Sequence, residues 1–258
     1  HYRDRRQRQM CIRDRLNIMS TPTLVGSNVL QAVGVAHTLK RNKSNNSIVL
    51  ASVGDGATQQ GDFYEAITEA ARENLPVLFL IEDNRYALST PTEGNTFYSL
   101  GDKECASTFC GISIQRINGS DPIETDVNVK KIIESIRNEG SPKILLFEVE
   151  RLSSHTNADD QSVYRSESDL KQAMENKDPC VILRQYLIKN GCDEKMMLEI
   201  EEKIDADLKT AFQEARKELA PKPIFTAKKA LPAQKSEYLG AENLRDLTML
   251  ESMRIALK

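Results

Sequence analysis

No stretch of this 258-residue chain is apolar for long enough to cross a bilayer, and its front lacks the basic, apolar and small-residue succession of a signal peptide. Cysteine is sparse and unpaired in pattern. Cys11, Cys105, Cys110, Cys180 and Cys192 are odd in number, scattered and without a CxxC. That argues against a disulfide framework or a zinc site and reads as free thiols in a reducing, cytoplasmic setting. A GxSxG nucleophile elbow is missing. The short cluster Ser154, His155 and Asp159 is too close in sequence for the usual triad geometry, so hydrolase chemistry is not expected. Positive charge in excess is missing too. The net charge of −3 gives no reason to expect nucleic acid as a partner, although an arginine-rich run, RQRQMCIRDR, stands near the front.

Two phosphate loops are also lacking. After Gly54 and Gly56, a dinucleotide fingerprint needs a third glycine where Gln59 stands. Gly56 and Gly61 have the spacing of a P-loop, but Asp62 occupies the place of the lysine that reaches the terminal phosphates, with the opposite charge.

What is present is GDGATQQGDFYEAITEAARENLPVLFLIEDN, between Gly54 and Asn84. Ser47 to Val53 has the length and β-branched content of a buried strand. Phe63, Ile67, Ala70 and Ala71 recur at helical spacing, and Pro76 to Ile81 reads as a second buried strand. Such a βαβ unit puts both strand ends on one edge of a parallel sheet, so Asp55 and Asn84 are expected to meet. One carboxylate, one side-chain amide and nearby backbone carbonyls suit a magnesium ion that also takes oxygens from a diphosphate. Gly54 and Gly56 let the chain approach that diphosphate closely.

The rest of the chain alternates. A helix is expected near Val25 to Arg41, then the βαβ unit, then a loop rich in Thr, Gly and Ser. A strand at Ser113 to Ile117, a helix near Val127 to Asn138 and a strand at Ile144 to Glu150 follow. The pattern is doubly wound α/β, one large domain with a good core. Glu167 to Glu218 reads as helices of mixed charge, with Met196, Met197, Ile200 and Ile204 as packing residues. From Ala220 the prolines Pro221, Pro223 and Pro232 and many lysines read as a linker or extended tail. His155, in the polar setting SSHTNADD, is a loop residue; a solvated and a functional histidine are both open on the residues alone.

GDG followed at this distance by Asn, with the ending DNRYALSTPT, resembles the thiamine diphosphate signature. Three further blocks extend the resemblance from Leu16 to about Ile224: TLVGSNVLQAVGVAHTLKR, ERLSSHTNADDQSVYRSESDL and DPCVILRQYLIKNG. Together they resemble the alpha subunit of the first, decarboxylating component of 2-oxo acid dehydrogenase complexes. The resemblance implies the thiamine diphosphate-binding fold with a helical C-terminal extension, and thiamine diphosphate and Mg2+ as cofactors. Asp55, Asn84 and the carbonyl of Tyr86 match the family's metal ligands, and Gly54, Gly56 and Ala57 match positions that line the diphosphate. Asp83 stands where the family often has a first asparagine. His155 matches a histidine at the mouth of the cofactor cleft that orients intermediates and passes the acyl group to lipoamide. Asp159, Asp160, Tyr164 and Arg165 match the loop that holds it. Tyr2 and Arg3 resemble the pair that reaches the diphosphate, but the stretch the family places after them is absent.

The implied activity is decarboxylation of a 2-oxo acid and acyl transfer to lipoamide, with ALSTPT closer to the branched-chain 2-oxoisovalerate members than to the pyruvate members. The implied partners are a beta subunit or fused beta domain, which completes the active site in an alpha2beta2-like assembly, and a lipoyl-bearing acyltransferase component. Acetoin-cleaving and transketolase-like thiamine enzymes, and a noncatalytic scaffold that keeps the fold, are the alternatives. The expected organisation is an irregular or artefactual N-terminus at 1–15, the cofactor-binding alpha domain at 16–219 and a linker at 220–246. At 247–258, the apolar Leu250, Met253, Ile255 and Leu257 resemble the first helix of a beta subunit, and a free alpha subunit with a helical terminus is the other reading. The localisation read from this is cytoplasmic, or the mitochondrial matrix in a eukaryote.

Overall fold

The computed structural model describes residues 17–19, 24–42, 46–101 and 104–217. Tyr2, Arg3 and the expected segments at 1–15, 220–246 and 247–258 lie outside the described residues. Contacts resolve two compact units, His1–Met196 and Met197–Lys258.

In the first unit, helix α1 (Asn28–Arg41) precedes strand β1 (Val49–Gly54), a 3-10 turn at Asp55–Gln59, helix α2 (Gly61–Glu73) and strand β2 (Val77–Asp83). Two short strands, β3 (Tyr86–Ala87) and β4 (Thr90–Pro91), follow. Then come β5 (Thr108–Phe109), β6 (Ile112–Asn118), helix α3 (Pro122–Glu139) and β7 (Lys143–Glu148). Helices α4 (Glu167–Asn176) and α5 (Pro179–Lys189) complete this unit, and α6 (Glu194–Lys217) runs from it into the second.

The sheet order is β1-β2-β7-β6-β5. All neighbours among the first four strands are parallel, and β5 is antiparallel to β6. Burial on both faces explains the near-continuous apolar text of β2. Val77, Phe79 and Ile81 face one layer, with Val29, Val33 and Ala36 of α1 and Phe63, Ile67 and Ala70 of α2. Leu78 and Leu80 face the other, with Ile132 and Ile136 of α3. A parallel sheet covered on both sides has this composition because neither face meets water.

Chain punctuation sets the element ends. Helix α2 stops at Asn74, whose φ of 46° is left-handed, just before Pro76. Helix α3 begins five residues before the expected Val127. Asp121 caps it, accepting hydrogen bonds from the amides of Ile123 at 2.9 Å and Glu124 at 3.1 Å, with Pro122 at the first helical position. The polar first turn hides this start from a reading of apolar period. The Thr-, Gly- and Ser-rich loop also contains more order than expected. Cys110 and Gly111, with φ of 51° and 78°, turn β5 into β6.

Helix α5 opens on a side-chain cap, with the Asp178 carboxylate accepting from the Cys180 amide at 2.8 Å and Pro179 following the cap. Helix α6 differs. Met197 is buried, but Met196, Ile200 and Ile204 are about half exposed, so three of the four residues read as packing present an apolar face to solvent. Cys105, Cys110, Cys180 and Cys192 are free thiols. Among the described residues no helix is long and apolar enough to cross a membrane.

Candidate functional site

The parallel register carries the ends of four strands to one edge. Gly54 pairs with Glu82, Asp83 with Glu148, and Asn118 also with Glu148. The chain leaves β1 at Asp55 and β2 at Asn84, so the two turns lie side by side, as a βαβ unit dictates.

The first turn is tight. Thr58 Oγ1 donates to the Asp55 carbonyl at 2.6 Å, and Asp55 itself is 1 % exposed. Gly56 has no room for a side chain: a Cβ there would stand 2.5 Å from the Ala87 Cβ. Gly54 is the opposite case, with nothing of the chain within 4 Å of the corresponding position. Ala57 is half-buried beside them.

The second turn reverses the chain through Arg85, whose φ is 64°. Two side chains fold back onto it. The Asp83 carboxylate accepts from the Arg85 amide at 3.0 Å, and the Asn84 side-chain oxygen accepts from the Tyr86 amide at 3.0 Å. Asx turns of this kind suit Asp and Asn because their short side chains mimic a backbone carbonyl. Tyr98 OH donates to the other Asp83 oxygen at 2.8 Å. The phenol's pKa is raised, first by burial and then by the Asp83 charge.

Thr92 joins the two turns. Its hydroxyl donates to Asp55 Oδ2 at 2.5 Å, and its amide donates to the Arg85 carbonyl at 3.0 Å. Burial pushes the Asp55 carboxyl up, the Asp83 charge adds to this, and the Thr92 hydroxyl and the Gly56 amide oppose it. A buried carboxylate in this setting is short of positive charge. A hard divalent cation would supply it, and the neighbouring donors, an amide oxygen and backbone carbonyls, are of the type such a cation takes. Among the described residues no three His, Cys, Asp or Glu side chains converge, so further oxygens would come from a ligand.

His155 lies on the loop between β7 and α4. Its amide donates to Asp159 Oδ2 at 2.8 Å, and the same carboxylate accepts from Tyr164 OH at 2.7 Å. These two donors, the amide first, hold the Asp159 carboxyl below its usual range. Asp160 caps the short turn at Gln161–Val163, accepting from the Ser162 amide at 3.0 Å. Arg165, whose side chain is 1 % exposed, pairs with Glu150 at 2.8 Å and Asp169 at 2.7 Å and donates to the Arg151 carbonyl at 2.7 Å. Arg151 lies over the Tyr86 ring at 5.3 Å and the Tyr164 ring at 5.5 Å and donates to the Leu88 carbonyl at 2.7 Å. The Arg151 Nε is buried without a hydrogen-bond partner.

The structure therefore brings Asp55, Asn84, Tyr86 and the three small residues Gly54, Gly56 and Ala57 together. It ties the His155 loop to Tyr86 through Arg151 and Tyr164, and leaves the imidazole exposed. The sequence reading missed Thr92, Tyr98, Glu150 and Arg151. The last letter of ALSTPT was the available signal for Thr92, a hydroxyl residue close behind the metal motif.

The model of the dehydrogenase E1 component family matches residues 3–224. The chain belongs to this family. It is 35 % identical over 204 residues to the pyruvate dehydrogenase E1 component subunit alpha of Staphylococcus aureus (strain N315), covering 78 % of this chain and 54 % of that protein. The subunit of the same name from Bacillus subtilis (strain 168) is 30 % identical over 212 residues, 81 % of this chain and 55 % of that protein. The chain spans about half the length of the curated relatives it matches. Membership in the dehydrogenase E1 family implies dependence on thiamine diphosphate, and the paired turns fit the polar end of that cofactor. Gly54 offers open space beside a buried carboxylate, where a diphosphate and its cation can approach.

Proposed function

We propose that this chain supplies the alpha-type half of a thiamine diphosphate-dependent 2-oxo acid dehydrogenase, with a beta subunit or fused beta domain completing the site. The observation that carries the reading is the junction of the Asp55 and Asn84 turns at adjoining strand ends, closed by Thr92. Asp55, the Asn84 side-chain oxygen and the Tyr86 carbonyl would hold Mg2+, and the Gly54–Ala57 turn would face the diphosphate. Bound there, thiamine diphosphate supplies the electron sink that decarboxylates a 2-oxo acid.

The chain's own residues bind, orient and protonate. Arg165 and Arg151 fix the loop on Tyr86, so the cover over the cofactor is anchored to the metal-binding segment itself. His155, with its amide fixed on Asp159 and its ring free, is the group available for proton transfer as the acyl unit passes to a lipoyl-bearing acyltransferase. Two observations bear on the substrate. ALSTPT favours a branched-chain 2-oxo acid, whereas the similar proteins carry pyruvate in their names. Turnover of pyruvate against 2-oxoisovalerate by the assembled enzyme decides between them.

The reading is tested by calorimetry on the chain assembled with its beta partner. Thiamine diphosphate is expected to bind only with magnesium, and Asp55→Ala is expected to abolish that binding. Binding that ignores magnesium, or an unaffected Asp55→Ala variant, would sink the proposal and favour a noncatalytic scaffold.

A further inference from the structure

Asp55 has two carboxylate oxygens, and the fold already engages one. Oδ2 accepts the only proton of the Thr92 hydroxyl, at 2.5 Å, in a setting where Asp55 is 1 % and Thr92 6 % exposed. The hydroxyl's position is itself fixed. The Thr92 amide is held on the Arg85 carbonyl at 3.0 Å, and its carbonyl receives the Asn95 amide at 2.9 Å. Its backbone is thus pinned on both sides, and the side chain of Asp55 cannot swing without breaking a buried hydrogen bond. An unsatisfied buried hydroxyl and carboxylate would be the cost.

We propose that Thr92 is a positioning residue that sets cation selectivity, by holding Asp55 Oδ2 in a buried hydrogen bond and so disfavouring coordination of the metal through both carboxylate oxygens. This rests on the reading that the site holds a divalent cation with thiamine diphosphate. Mg2+ demands near-ideal octahedral geometry, whereas Ca2+ takes more oxygens and accepts two from one carboxylate. A carboxylate with Oδ2 engaged in this way favours one-oxygen coordination and so disfavours the larger ion. Because Thr92 also holds the Arg85 carbonyl, between Asn84 and Tyr86, the same residue sets the spacing of the other donors.

The test uses the chain assembled with its beta partner, stripped of metal, and measures thiamine diphosphate binding by calorimetry with Mg2+ and separately with Ca2+. Wild type is expected to bind more tightly with Mg2+. Thr92→Val, which keeps the shape and removes the donor, is expected to weaken the Mg2+-dependent binding about tenfold, the usual scale for a group that orients a ligand. It is expected to weaken Ca2+-dependent binding much less, so that the preference falls, while Thr92→Ser restores it. An equal loss with both ions would reduce Thr92 to a packing role and overturn the proposal. So would a wild type that binds equally with either ion, a result that needs no variant to fold. Wild type that shows no metal-dependent binding at all overturns the underlying functional reading instead.

Discussion

Gly54 and Gly56 flank the same carboxylate and are glycine for different reasons. A Cβ at Gly56 would meet the Ala87 Cβ at 2.5 Å and its Cα at 3.1 Å, so the constraint is internal to the chain. Gly54, with φ of −73°, has neither a steric nor a conformational need for glycine in the chain alone. Gly56→Ala is therefore expected to destabilise the fold by about 1–3 kcal/mol, as overpacking does. Gly54→Ala should leave stability within about 0.5 kcal/mol, as at open positions, and weaken thiamine diphosphate binding. Urea unfolding and calorimetry on the two variants separate the effects. In the sequence these glycines look alike. The Asp55 and Asn84 positions were legible from spacing, because a βαβ unit fixes where strand ends go. Thr92 and Tyr98 were not, since their partners come from turns whose closing geometry no periodicity reports.

Among the elements, the loop from β7 to α4 is built on an ion. Arg165 is buried against Glu150 and Asp169, and Glu150 also pairs with Arg85 at 2.6 Å. Arg165→Met is expected to cost roughly 3 kcal/mol, near the lower figure for breaking a buried pair, because Arg85 still faces Glu150. Urea unfolding measures the loss, and protease cleavage between Arg151 and Arg165 should quicken with it. The end of α3 gives a pH signature. Lys143, Ser135 and Ser141 hold the Glu139 carboxyl down from its ordinary 4.5 to about 2. A folded-state value below the unfolded one stabilises at pH above about 4.5, and that contribution is lost as pH falls toward 2. Glu139→Gln is expected to flatten the fall in stability between pH 5 and about 2, read from urea midpoints; the group is exposed, so the change is small. The helix itself was legible, but its first turn was not, because Asp121 and Pro122 signal a start by capping and not by apolar rhythm.

For the whole molecule, the coupling between cofactor and fold is measurable. A ligand that binds only the folded state adds about 2.7 kcal/mol at a hundred times its dissociation constant. Thiamine diphosphate and Mg2+ together are expected to raise the unfolding temperature of the assembled protein, and either alone to do so far less. Equal shifts with and without the metal would contradict a shared site. The doubly wound architecture was readable from alternating elements, down to the pairing of β1 with β2. The small strands β3, β4 and β5 were not, since two residues carry no period.

Strand β7 sits between β2 and β6 although both precede it in the chain. Its pairing with β6 spans one helix, as does that of β1 with β2, but Leu78 meets Lys143 across the longest separation in the sheet. Closing that seam carries the largest loop entropy, so two local halves form more readily than their union. The Val149 amide bonds the Asp83 carbonyl at 3.0 Å and Arg85 reaches Glu150 across the same seam. Folding and assembly of the candidate site are thus one event: the step that joins the halves of the sheet is the step that seats the His155 loop on the Asn84 turn.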